Sequence, residues 1–110
     1  MYHAEELHSF ILAPKPDWCR DKDVSIMAYF IAVADEHGHS TPMQTDICSA
    51  TGVNYNSRSL RNSLDRLHQH TWITWRKVTE IGARHSYQVH FENLPRFDRQ
   101  TLTKETHEGA

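Results

Sequence analysis

The spacing of the apolar residues changes once along this chain of 110 residues, close to His70. Before that point, Leu60, Leu64 and Leu67 recur at i, i+4 and i+7, which places them on one face of a helix. After it, apolar and polar residues alternate with period 2 in two short runs within residues 73–91, separated by a Gly-containing turn. Such a pair of runs predicts a β-hairpin. A helix that leads directly into a hairpin predicts an α+β fold.

Two further helices are predicted upstream of the leucines. The first begins near Asp21 or Asp23, where acidic side chains suit the positive end of the helix dipole, and ends at Gly38 as a left-handed stop. The second follows a hydroxyl cap and a proline, covers residues 43–51, and ends at Gly52. The chain therefore predicts three helices in a row, followed by the hairpin.

The first of these helices is apolar on almost every side over residues 26–34. A helix of that kind is buried on more than one side, and in so short a chain we expect a partner subunit to cover the second side. Residues 1–21 are interpreted as an N-terminal extension that adds to this homodimer contact, and Glu5–Leu12 within it fits a helix or a strand equally. The main domain is expected over residues 22–94, and a polar tail over residues 95–110.

The charges are distributed unevenly, although their sum is only −2. Residues 1–53 carry three Lys/Arg and eight Asp/Glu, which gives −5. Residues 54–99 carry eight Lys/Arg and four Asp/Glu, which gives +4, and the last eleven residues give −1. An acidic half followed by a basic half indicates an anionic partner for the second half.

Two helices joined by a short Gly-containing turn form a helix-turn-helix unit, whose second helix lies in the DNA major groove. Here the leucine face docks on the domain, and the opposite face is polar over residues 56–66. Arginine can read guanine and asparagine can read adenine with two hydrogen bonds, so we assign Arg58, Arg61 and Asn62 to base readout. The other expected DNA contacts are Asn56, Ser57 and Ser59 near the helix start, Arg66 on a phosphate, and Arg76, Lys77 and Arg84 on the hairpin.

Over residues 23–91 the chain resembles winged helix-turn-helix proteins of phage and plasmid type, which include replication-protein N-terminal domains and small transcription regulators. The resemblance implies a three-helix core and a two-stranded wing that contacts the DNA backbone or minor groove. The turn before the recognition helix is longer than usual, which brings Asn54 or Tyr55 into the contact set in an alternative register. The resemblance is carried by Ala34-Asp35-Glu36-His37-Gly38, Gln44-Thr45-Asp46-Ile47, Thr51-Gly52-Val53, the leucine stripe, Trp72-Ile73-Thr74 and Gly82-Ala83-Arg84-His85-Ser86-Tyr87-Gln88-Val89.

The expected function is sequence-specific binding of double-stranded DNA by a homodimeric transcription regulator, in the cytoplasm of a prokaryotic or viral system. One alternative is the DNA-binding domain of a plasmid or phage protein for replication initiation or maintenance. An alternative of another class is a winged-helix protein-interaction module that uses the wing and Trp75 and leaves Arg58 and Arg61 without a ligand.

Other classes of function find little support in the sequence. The histidines include two i, i+2 pairs, His37/His39 and His68/His70, but no cysteine or acidic residue completes a zinc-type set, so no metal site is expected. No nucleophile, base and acid stand at an informative spacing, so neither catalysis nor a cofactor is expected. The two cysteines are interpreted as reduced thiols. No apolar run approaches the roughly 18 residues of a membrane span, so no membrane contact is expected.

Overall fold

Four helices and a three-stranded antiparallel sheet make up the described part of the chain, which covers residues 1–54, 58–77 and 85–97 of the computed structural model. This arrangement confirms the expected α+β class and is compatible with a winged helix. The helices are α1 (Ala4–Leu12), α2 (Asp21–Val33), α3 (Gln44–Thr51) and α4 (Ser59–Gln69); the strands are β1 (His39–Ser40), β2 (Ile73–Lys77) and β3 (His85–Val89), followed by a 3-10 turn over Phe91–Asn93.

The sheet is built around β3, which lies between β1 and β2. β2 and β3 are antiparallel, with Ile73 opposite Val89 and Lys77 opposite His85, so the two strands of the predicted hairpin are confirmed. The short strand β1 pairs with β3 on its other side, with His39 opposite Gln88, and was not predicted. It connects the chain between α2 and α3 to the hairpin.

The hydrophobic core lies where α2, α4 and the inner face of the sheet meet. Leu60, Leu64 and Leu67 are all exposed by 6% or less, which confirms that the leucine stripe is core. They meet apolar residues of α2 and the alternating residues of β3, Tyr87 and Val89. Burying this apolar surface is the main force that holds α4 in place.

The N-terminal segment is helical and packs into the same core. Phe10 of α1 is only 1% exposed, and its ring meets Trp72 edge-on with 5.6 Å between centroids. Ser9 accepts hydrogen bonds from the Phe97 amide through its carbonyl oxygen, at 3.2 Å, and its hydroxyl oxygen, at 2.9 Å. Helix α1 thus covers a side of α2 within the chain, which removes the reason for assigning that side to a partner subunit.

Helix α2 ends at Val33, earlier than the expected stop at Gly38. The Asp35 carboxylate accepts hydrogen bonds from the amides of His37 and His39, both at 2.9 Å, and this local pairing replaces further helical hydrogen bonds. Gly38 instead serves the turn into β1, with φ of +82°. A Cβ at this position would lie 3.0 Å from Gln88 Nε2, so the turn requires glycine for space as well as conformation.

The starts of α3 and α4 also differ from the expected positions. Helix α3 begins at Gln44, because the Asp46 carboxylate accepts a hydrogen bond from the Met43 amide at 3.0 Å and so caps the helix there. Its end at Gly52 is confirmed, with φ of +76°. Helix α4 begins at Ser59, three residues after the start of the expected polar face at Asn56, which lies outside the described residues.

Candidate nucleic-acid interface

The face of α4 opposite the leucines is polar and exposed. Because Leu60, Ser63 and Leu64 point inward, Arg58 at the N-terminal boundary and Arg61 and Asn62 in the first turns are left exposed. The three side chains that sequence reasoning assigned to base readout therefore come together on the first half of one helix. Side chains in this position are the ones that reach base edges when a recognition helix enters the major groove.

A cleft of about 280 Å³ separates α4 from the hairpin. Arg61 and Asp65 line it from α4, Gln44 lines it from the start of α3, and His85 lines it from β3. The bottom of the cleft is aromatic and includes Tyr87. Burial raises the pKa of the Tyr87 phenol to about 12. The cleft therefore brings two basic side chains of different elements, an amide and a carboxylate together above an apolar floor.

A second cleft, of about 320 Å³, lies on the other flank of α4, against the start of α2. Lys22 reaches across it, and its Nζ donates a hydrogen bond to Ser59 Oγ at 3.2 Å. Arg61 lines the hairpin-side cleft and Asn62 lines this one, so the two side chains serve opposite flanks of the same helix. The residues that line the α2-side cleft are Arg20, Asp21, Lys22, Ser59, Asn62 and Arg66.

Arg66 is engaged inside the protein, which does not favour its expected contact with a phosphate. Its Nε and Nη2 donate to the two carboxylate oxygens of Asp23, each at 2.9 Å, and Nη2 also donates to Ser63 Oγ at 3.2 Å. The Asp23 side chain is completely buried, and the Arg66 side chain is 24% exposed. Burial alone would raise the pKa of Asp23, but the hydrogen bonds from Arg66, Ser63 and the Arg20 amide outweigh it and lower the pKa.

The other residues that were expected to contact DNA lie apart from one another. Arg76 is exposed on β2, and it lines a separate cleft on the outer face of the sheet together with His39 and Ser86. Asn54 is exposed just after the end of α3, and Lys77 is the last residue of β2. Asn56, Ser57 and Arg84 lie outside the described residues, and so does Tyr55 of the alternative register.

Sequence reasoning missed four polar residues around α4: Arg20, Lys22, Gln44 and His85. The sequence pattern around Arg20 and Lys22 points only weakly to a basic site, because these residues alternate with aspartates in the acidic half of the chain. Gln44 opens α3, the helix before α4, a position from which a side chain can reach the neighbouring helix, and His85 opens the second alternating run. Only the tertiary structure brings these residues beside α4.

Within residues 1–54, 58–77 and 85–97, no group of three or more His, Cys, Asp or Glu side chains is placed to hold a metal ion. Nor do the helices of these segments include one long and apolar enough to cross a lipid bilayer. Comparison with protein-family models, with curated proteins and with solved structures finds no match to the chain.

Proposed function

We propose that this chain binds double-stranded DNA sequence-specifically, with α4 as its recognition helix, and acts as a transcription regulator. The observation that carries the proposal is the exposed position of Arg58, Arg61 and Asn62 on one face of α4, whose other face is held by buried leucines. A helix anchored in this way presents its exposed guanidinium and amide groups from a backbone whose position is fixed.

The chemistry of these groups matches what the major groove displays. The groove is about 12 Å wide and admits one α-helix, and each bidentate Arg–guanine or Asn–adenine pair contributes about 1–3 kcal/mol of discrimination. Basic groups on the flanks of such a helix contact phosphates, which set its register without reading sequence. Arg61 and Asn62, on opposite flanks of α4, would then read bases on either side of the helix axis.

A homodimer remains part of the proposal, with half-sites about 10 bp apart on an inverted repeat. Because α1 covers α2, the contact has to form on side chains that are exposed in the described chain, such as Ile11, Leu12 and Val33, which are 55%, 49% and 42% exposed. Sedimentation velocity of the protein with and without its selected duplex tests this point. A single protein bound to a motif without symmetry contradicts the dimer.

Selection from a random-sequence duplex pool at two salt concentrations tests the proposal. We expect one enriched motif and an affinity that falls as salt rises. Replacing Arg58 and Arg61 together by alanine should abolish the enrichment. Arg96→Ala is a matched control, because Arg96 is an exposed arginine that pairs with Glu6 of α1 at 3.3 Å and is 61% exposed.

Two results would contradict the proposal at different levels. If the protein shows no salt-dependent binding to the duplex pool and enriches no motif, DNA is ruled out as the ligand and a protein-interaction module is favoured. An unchanged motif in the Arg58→Ala plus Arg61→Ala variant would retain DNA binding but reject this assignment of the reading residues.

A further inference from the structure

The cleft between the start of α2 and α4 contains basic groups that base readout does not need. Arg20 caps the start of α2 and Lys22 lies in its first turn, whereas Ser59 and Asn62 belong to α4, and all four line the same cleft. The hydrogen bond from Lys22 Nζ to Ser59 Oγ, at 3.2 Å, holds the ammonium group directly beside the first turn of α4. The cation therefore lies next to the proposed reading face.

We propose that this cleft is a DNA phosphate site, in which Lys22 and Arg20 bind phosphodiester oxygens of the strand that passes along the α2 side of α4. The inference rests on the proposed function and extends it to two residues of the acidic half of the chain. The Asn62 amide lies in the same cleft, where the phosphate contact adjoins the base contact.

The charge balance of the cleft selects a tethered phosphate over a free one. Arg20 and Lys22 contribute two positive charges, Asp21 contributes one negative charge, and the charge of Arg66 is balanced by the buried Asp23. One net positive charge at an exposed site holds a free phosphate ion weakly, because water and salt screen the attraction. A backbone phosphate is delivered by the base contacts of α4, so it meets the cleft at a high effective concentration.

The position of the cleft also indicates how the two DNA strands would lie relative to α4. The α2-side cleft and the hairpin-side cleft lie on opposite flanks of α4, so a helix in the major groove has one backbone next to each. The strand on the α2 side meets Arg20 and Lys22, and the strand on the other side meets His85 and the hairpin. Phosphate contacts should therefore fall in two groups, one on each strand of the half-site.

The experiment uses the full chain and the duplex selected by the unmodified protein. The variants are Arg20→Ala plus Lys22→Ala, with Arg96→Ala as control, and each is first checked for an unchanged unfolding midpoint. Lys22→Gln, which removes the charge but keeps a group that can hydrogen-bond to Ser59, replaces the double variant if that one is destabilised. Affinities are measured between 50 and 200 mM salt and on duplexes that carry a neutral methylphosphonate at one position at a time.

We expect the double variant to select the same motif but to lose about one unit of salt-dependence slope per lost phosphate contact. The advantage of the unmodified protein should then shrink about three- to fourfold per contact between the two salt concentrations. Methylphosphonates at the phosphates that Arg20 and Lys22 contact, on the DNA strand of the α2 side, should weaken DNA binding by the unmodified protein. They should leave DNA binding by the double variant unaffected. An unchanged slope and an unchanged methylphosphonate profile would overturn the phosphate site while DNA binding stands. If the unmodified protein selects no motif, the proposed function itself fails.

Discussion

Asp23 and Arg66, 43 positions apart in sequence, form a bidentate ion pair that joins α2 to α4. Both hydrogen bonds measure 2.9 Å, and the carboxylate is completely buried. The same carboxylate accepts a hydrogen bond from the Arg20 amide at 3.1 Å, so it also caps the start of α2. This pair sets the position of the proposed recognition helix relative to the start of α2, where Arg20 and Lys22 lie.

Arg66→Ala should destabilise the fold by about 3–5 kcal/mol, because it leaves the Asp23 charge buried without its partner. Urea unfolding followed by tryptophan fluorescence measures the change. The double variant Asp23→Leu plus Arg66→Met should be closer to the unmodified protein, since it removes both charges together. A single variant as stable as the unmodified protein would show that Asp23 finds other compensation.

Acid should weaken the fold through Asp23. Its pKa is lowered in the folded state from the ordinary value of 3.8, so the stabilisation is fully present above the unfolded-state pKa. That stabilisation is lost as the pH falls through the lower, folded-state pKa. Unfolding free energies measured from pH 6 to pH 2 should therefore decline more steeply for the unmodified protein than for Asp23→Asn. If the two proteins give parallel curves of unfolding free energy against pH, the loss of stability in acid does not come from Asp23.

The two glycines with positive φ should differ in their tolerance of alanine. Both substitutions place a side chain in left-handed backbone, at about 1–2 kcal/mol each. At Gly52 the added Cβ meets nothing within 4 Å, but at Gly38 it lies 3.0 Å from Gln88 Nε2 and 3.1 Å from the Phe91 ring. Gly38→Ala should therefore lower the thermal midpoint more than Gly52→Ala, and equal midpoints would mean that the turn before β1 relaxes freely.

Phe10 tests whether α1 belongs to the folding unit. Phe10→Ala should destabilise the protein by about 3–5 kcal/mol, because it leaves a cavity next to Trp72. His8→Ala is the matched control on the same helix, since His8 is exposed and its truncation should change stability by no more than about 0.5 kcal/mol. Equal and small effects in urea unfolding would show that α1 is a dispensable extension.

Cys19 should react slowly with alkylating agents in the folded protein. Burial and the nearby Asp23 charge raise the pKa of its thiol to about 11, and only the thiolate is the nucleophile. At pH 8 the thiolate fraction should be about 200-fold below that of an ordinary thiol of pKa about 8.5. Mass spectrometry after iodoacetamide treatment, native and in urea, gives the two rates. Similar rates in both conditions would contradict the half-buried placement of Cys19 beside Asp23.

The elements that could be predicted are those with a strong local signal. The leucine stripe of α4 and the alternation of β2 and β3 reflect a regular spacing of side chains, so their type and buried face followed from sequence. Strand β1 could not be found in this way, because two residues are too few to show a period. It exists because β3 offers it a partner.

The features of the candidate site that the sequence did not indicate arise from tertiary contacts. Arg66 has the residue type and position of a phosphate contact, and nothing local shows that Asp23 binds it. The apolar surface of α2 indicated a partner subunit only because the character of residues 5–12 was undecided. Once those residues form α1, the same surface is covered by the chain itself, while Arg58, Arg61 and Asn62 are exposed as their helical spacing predicted.

The pairing of Ser9 with the Phe97 amide has a consequence for how the molecule opens. It closes a loop of 88 positions, and the entropic cost of closing so long a loop is recovered only once both ends have stable surfaces to dock on. The contact should therefore form late in folding and open early in local unfolding. Hydrogen exchange at Phe97 would then report the lowest-energy opening of the fold, the one that frees α1 and uncovers the apolar side of α2.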